Sequence, residues 1–373
     1  MAEQSTHTRR RDARGCVLPA TLLAAAIVTA SCTAHSRSTA PPSATPTTTA
    51  SGRVRLIAKG GLLGLLDRER RSSRRQPSTQ PSGSTNTTTP TTVPFPVAQT
   101  SMTFVDTNRS SPARGDTPAQ AERTLTTTIY YPAAATPTAA TPTPPVAAGP
   151  FPLIVFAHGY DAQASMYAHL LEDLARGGYI VAAPEFPGTS SAHPGPANRP
   201  DTLQQPADLS FLITSMLAVS TQAGLLHDSI DPHEIGDSGH SDGGVTAAAA
   251  AYNTCCIDTR IKAATILTGG AFGFEGQWFP PGTPPVMFVH ATADEINPYQ
   301  ASVSMFEQAQ SPKYLLTIEG GSHLEVFVDP PWEPPIAQSM VAFYDLYLKH
   351  DPNARSQLRA VANQPGLLSL QEG

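Results

Sequence analysis

Near the middle of the chain the run Gly239-His240-Ser241-Asp242-Gly243-Gly244 constrains the fold more than any other segment. It stands between a short strand candidate, Glu234 to Asp237, and a helix that opens near Asp242 and runs through the small-residue stretch Val245 to Tyr252. A glycine two positions either side of a serine leaves room for a sharp strand-to-helix turn. The turn lifts the hydroxyl clear of the backbone and sets it at a helix N-terminus, where the dipole favours developing negative charge. A bare Gly-x-Ser-x-Gly also fits a glycine-rich loop, but the strand before it, the helix after it and the partners downstream argue against that reading.

The surrounding pattern alternates strands with helices. Leu125 to Tyr131 alternates as a strand does, and Pro152 to Ala157 is an apolar run closed by His158-Gly159, as a buried parallel strand would be. Met166, Leu170, Leu171 and Leu174 recur at helical spacing, and Gly177-Gly178 ends that helix. Strands follow at Tyr179 to Ala183, Ala263 to Leu267, Val286 to His290 and Tyr314 to Ile318, with helices over Ala207 to Val219 and Ile336 to Leu348. Such alternation predicts an α/β fold, a mostly parallel central sheet with helices on both faces. In these sheets the reactive side chains collect at the carboxyl ends of the strands.

A serine hydroxyl is a poor nucleophile without a base to take its proton and an acid to orient that base. Past Ser241, the strand Val286 to His290 runs into Asp294, and the strand Tyr314 to Ile318 runs into Gly320-Gly321-Ser322-His323. Both side chains therefore follow a strand end on the same edge as Ser241, in the order Ser, Asp, His. Ser241, Asp294 and His323 are the expected catalytic residues. Glu295 is expected to point elsewhere, His290 to be packed at its strand end, His240 to face away from the hydroxyl, and His350 to be solvated on the last helix. The expected oxyanion donors are the amides of Asp242 and Tyr160, the latter on the loop after His158-Gly159. Tyr160, Phe272 and Trp278 are candidate substrate contacts, and the Asp242 carboxylate is expected to cap the helix and turn from the oxyanion. The Pro-rich stretch Pro187 to Pro206 fits a lid edge or, better, a plain surface loop.

The strings IYYP, PLIVFAHG, GHSDGG, HATAD and GGSH, spread over Leu125 to His350, resemble the α/β-hydrolase superfamily. The similarity is greatest to the branch of dienelactone-hydrolase-like proteins, polyester hydrolases and cutinases, chlorophyllases and platelet-activating-factor acetylhydrolases. The resemblance implies a serine esterase of α/β-hydrolase fold. Dienelactone hydrolases carry cysteine where Ser241 stands. Polyester hydrolases usually carry Met at the position of Asp242 and a Trp straight after the sixth strand, where this chain has Phe272, Phe274 and Trp278 in the loop.

The N-terminal region reads differently. Arg9, Arg10, Arg11 and Arg14 precede the apolar run Cys16 to Ala30, so residues 1–32 are expected to be an export signal. Val28-Thr29-Ala30 fits simple cleavage, and Thr29-Ala30-Ser31-Cys32 fits a lipoprotein box with Cys32 as the lipidated residue, so secreted and membrane-anchored forms both stay open. Residues 33–96 are rich in Thr, Ser and Pro and are expected to be a disordered linker. Within it, Arg53 to Arg75 carries eight Lys/Arg and two acids, a segment suited to an anionic membrane surface or simply to solvent. The catalytic domain is expected over 97–352, with 353–373 as a tail. Cys255 and Cys256 fit a vicinal disulfide or two thiols equally, and no metal-site spacing is present. A net charge of −6 gives no reason to expect nucleic acid.

These features predict an exported, cofactor-free, monomeric carboxylic-ester hydrolase acting on a small-molecule or lipid ester. Two alternatives stand beside it: a lipase or phospholipid acetyl hydrolase working at a membrane or cell-wall surface, and a non-catalytic surface protein that kept the fold.

Overall fold

The computed structural model describes residues 94–373 and the backbone of Arg55–Leu56. The expected signal over 1–32 and most of the expected linker lie outside the described residues. Arg55–Leu56 forms a two-residue strand, β1, antiparallel to β2 (Val97–Asp106). The chain continues through β3 (Arg123–Pro132), β4 (Phe151–Ala157), α1 (Ala168–Arg176), β5 (Ile180–Glu185) and α2 (Gln205–Ser220). It then passes through β6 (Ile230–His240), α3 (Asp242–Tyr252), β7 (Ile261–Leu267), β8 (Val286–Ala291), α4 (Gln300–Gln308) and β9 (Lys313–Ile318). It closes with α5 (Glu333–Leu348), α6 (Ala354–Val361) and β10 (Leu368–Glu372).

The strands make one sheet in the order β1-β2-β3-β5-β4-β6-β7-β8-β9-β10. From β5 to β9 every neighbouring pair is parallel, while the outer pairs are antiparallel. Each face carries its own core. One gathers α2 and α3 around Leu153, Val155, Leu212 and Phe288; the other gathers α1 and α5 around Ile154, Phe156, Leu171 and Phe343. Successive residues of β4 thus feed opposite cores, and the whole strand is buried. This is the α/β-hydrolase fold.

Residues 353–373 are a correction to the expected tail. The Leu368-Ser369-Leu370 alternation pairs in register with Leu316 to Ile318, and Leu358 of α6 is buried in the α5 core. The pairing partner lies some fifty residues upstream in sequence, beyond what a local pattern reveals.

Candidate active site

The elbow has the geometry its glycines allow. Ser241 sits at φ 58°, ψ −123°, a conformation costly for a non-glycine residue and kept only where the surroundings enforce it. A side chain at Gly239 would overlap the Gly243 carbonyl, and one at Gly243 would overlap the carbonyls of Ala157 and His158. The turn can therefore be this tight only with both glycines. The Ser241 amide donates to the Leu267 carbonyl at 2.9 Å, and its carbonyl accepts from Val245 at 3.0 Å, opening α3.

The structure brings Asp294 and His323 together at the same edge. His323 Nδ1 donates to Asp294 Oδ2 at 2.7 Å, which leaves Nε2 as the acceptor nitrogen. Asp294 Oδ1 accepts the amides of Ile296 and Asn297, each at 2.8 Å. Burial pushes this carboxyl up, but the bonds from His290, His323 and the two amides outweigh it and hold it well below the usual carboxylate range. Asp294 is therefore held as a carboxylate at neutral pH.

His290 differs from expectation. It is buried as expected, yet its Nε2 lies 3.2 Å from the same Asp294 oxygen and 3.1 Å from the Asn297 carbonyl, while Ser302 donates to its Nδ1 at 2.7 Å. Two imidazoles share one carboxylate. Only His323 lies against the elbow, its ring 4.7 Å from that of His240. Glu295 does not turn away: its Oε2 accepts the His323 amide at 3.1 Å and braces the backbone of the base loop. His350 pairs with Glu234 on the surface.

The two expected oxyanion amides, of Tyr160 and Asp242, donate to no backbone carbonyl among the described residues. The Gly159 carbonyl accepts from His158 Nδ1 at 2.8 Å and from the Ala162 amide at 3.2 Å. In a trans peptide the N–H points opposite to the C=O, so these bonds turn the Tyr160 amide away from His158. The Phe186 amide donates to His158 Nε2 at 3.1 Å, which fixes the tautomer.

Two side-chain expectations are corrected. Asp242 makes no helix cap; its carboxylate lies 3.4 Å from Arg199, whose guanidinium stacks 4.5 Å above the Tyr160 ring. Burial pushes the Asp242 carboxyl up, opposed by Arg199 and His323. Tyr160 also donates to the Ala197 carbonyl at 2.8 Å, so its ring supports the segment after β5. That segment is anchored more firmly than a plain loop: fully buried Arg123 binds Asp201 at 2.8 Å and Asp208 at 2.6 Å.

Trp278 is not at the site. It bridges Asn253, the residue after α3, and packs near Phe274 and Phe279. Because α3 runs from Ser241 to the opposite edge of the sheet, Trp278 lies at the amino ends of the strands. The connection after β7 returns along α3 without a helix of its own, and that path carries the tryptophan away. Phe272, just past β7, stays on the Ser241 side and is exposed. Cys255 and Cys256 form a vicinal disulfide beside Trp278, at the same far edge. A cavity of about 740 Å³ also opens at the amino edge, among Phe95, Phe151, Arg176 and Lys349. Among the described residues no group of His, Cys, Asp and Glu is arranged to hold a metal.

The fold is that of the α/β-hydrolases, and its carboxyl edge carries Ser241, Asp294 and His323. A family model described as Chlorophyllase, an α/β-hydrolase-like family of esterases, matches residues 117–269. The match spans the Tyr160 loop and the Ser241 elbow and ends before Asp294 and His323. No curated protein matches the chain.

Proposed function

We propose that the chain is a carboxylic-ester hydrolase that works through an acyl-enzyme on Ser241. The observation that carries this reading is the 2.7 Å bond from His323 to a low-pKa Asp294, set on the edge where Ser241 stands at positive φ. Ser241 Oγ attacks the ester carbonyl as its proton passes to His323 Nε2. The oxyanion then lies against the amides of Tyr160 and Asp242, at the N-terminus of α3. His323 returns the proton to the leaving alcohol, and a water deprotonated by the same imidazole releases the acid. A fluorophosphonate should label Ser241, read by peptide mass spectrometry, and Ser241→Ala should lower turnover of short nitrophenyl esters by about 10⁴-fold or more. Label on another serine sinks the assignment.

A second reading concerns the substrate. Met166, Leu203, Phe272 and Ile296 are large apolar side chains left exposed, and all sit on connections that leave the carboxyl ends of β4, β5, β7 and β8. An apolar rim of this kind favours a lipid ester at a surface over a small soluble one. A chain-length series of nitrophenyl esters, compared below and above micelle formation, separates the two: a surface-acting enzyme gains rate once micelles form. The Cys255–Cys256 bond supports export to an oxidising compartment, in line with the N-terminal signal.

A further inference from the structure

Beneath the reacting residues runs a chain of hydrogen bonds whose direction is forced at every link. His240 Nε2 lies 2.9 Å from the carbonyl oxygen of His323. A carbonyl only accepts, so Nε2 carries the proton, and in a neutral ring Nδ1 is then an acceptor. Nδ1 lies 2.8 Å from the Tyr167 hydroxyl, which must donate to it. The Tyr167 oxygen in turn accepts the Gly159 amide at 3.3 Å. Burial, with the His323 ring alongside, pushes the His240 imidazole down to about 3, which keeps it neutral.

The chain joins three loops that leave three strands. Gly159 follows β4 and precedes the Tyr160 amide; His240 ends β6 and precedes Ser241; His323 follows β9. Tyr167 is held against Phe156, with ring centroids 4.9 Å apart, and His240 against Phe327 at 5.1 Å. A side chain at Gly159 would stand 3.3 Å from His240 Nδ1, Ser241 Cβ and the Tyr167 oxygen at once, tighter than ordinary packing. The elements meet here as closely as a glycine permits.

We infer that His240 and Tyr167 act as one positioning device that holds the oxyanion loop and the base loop at a fixed separation across the elbow, a role that rests on the reading of Ser241 and His323 above. Neither residue is asked to touch the substrate. Their work is to keep the Tyr160 amide and the His323 ring in register with Ser241, where a displacement of about 1 Å can cost about 100-fold in rate.

Two measurements on the full chain test this. In nitrogen NMR of histidine-labelled protein, His240 should show a protonated Nε2 and a bare Nδ1, unchanged from pH 8 down to pH 5. The Nδ1–H tautomer, or titration above pH 5, overturns the device whether or not the protein is an esterase. The second measurement is kinetic. His240→Asn keeps an acceptor for Tyr167 but is too short to reach the His323 carbonyl; His240→Gln can reach it with its amide. We expect kcat to fall about 100-fold in the first and less than about 10-fold in the second, with KM within about twofold in both. Tyr167→Phe should cost about 10-fold in kcat, and adding it to His240→Asn should cost almost nothing more, because the chain is already cut. Additive losses, or unchanged kcat in a folded His240→Asn, overturn the inference. If His240→Asn does not fold, Tyr167→Phe and the parent's tautomer decide. A parent that neither turns over esters nor takes the fluorophosphonate instead overturns the Ser241 reading; an active parent with indifferent variants removes the positioning role alone.

Discussion

Among the described residues, four buried histidines, His158, His240, His290 and His323, stand at the carboxyl edge of the parallel strands, each hydrogen-bonded through its ring to a connecting segment. At the amino edge the same strands begin among apolar side chains, the Cys255–Cys256 disulfide and the cavity of about 740 Å³, and the histidines found there, His227, His233 and His350, are exposed. Backbone strain does not separate the two ends. Asp161, Ser241 and Thr268 take positive φ on one side, and Asp228, Phe279 and His350 take it on the other. The comparison teaches that a strained residue marks this site only where a buried, bonded imidazole lies beside it.

The contrast can be broken most sharply at the two imidazoles that share Asp294. His323→Ala should lower kcat by about 10⁴-fold, since the base itself is lost. His290→Ala should cost about 10-fold, since Asp294 keeps its bonds to His323 and to two amides. Steady-state kinetics on both variants decide it, and a mild loss in His323→Ala with an equal or larger one in His290→Ala would mean the wrong histidine has been chosen as base.

A smaller effect, on stability, concerns a carboxyl away from the histidine-rich edge. Asp237, within β6, is fully buried, and neither of its carboxyl oxygens has a hydrogen-bond partner among the described residues. Burial pushes its pKa well above the ordinary value. The folded state therefore holds a proton that the unfolded chain releases above about pH 4. Stability from this group is present at low pH and is lost as pH rises towards the folded pKa, at about 1.4 kcal/mol per pH unit. Asp237→Asn cannot ionise, so urea melts from pH 5 upwards should show the variant gaining on the parent as pH rises, at up to that slope. A constant difference across the range would mean that Asp237 is not held protonated.

The smallest effect belongs to the amino edge. Trp278→Ala should change kcat and KM for short esters by less than about twofold, because the ring lies at the far end of α3. A large rise in KM would place the tryptophan back in the substrate path.

Much of this was legible because short-range patterns carry it. The elbow, the apolar run of β4 and the strand ends before Asp294 and His323 are read from neighbouring residues, and the sheet edge follows from their order. What was not legible depends on partners far apart in sequence. Arg199 reaches Asp242 across forty-three positions, and no local signal near Asp242 announces it. His290 reaches Asp294 because the connection after β8 folds back on itself, bonding the Ile296 and Asn297 amides to the carboxylate. The path after β7 has no helical periodicity, so Trp278 reads as a neighbour of the site when it is a neighbour of Asn253. Histidines before and after a reactive serine are easily dismissed as packing; His240 carries a signal only once its two ring partners are known.

The segment after β5 is tied down by ion pairs of two kinds that answer differently to ionic strength. Arg123 with Asp201 and Asp208 is sealed from solvent, and mobile ions cannot enter to screen it. Arg199 with Asp242 lies at the surface, the arginine side chain 61% exposed. The screening length falls from about 10 Å at 0.1 M salt to about 3 Å at 1 M. Added salt therefore slackens the tie nearest Ser241 while leaving the anchor behind it untouched. The mouth of the site is open to adjustment by the medium, and the fold beneath it is insulated from the same change.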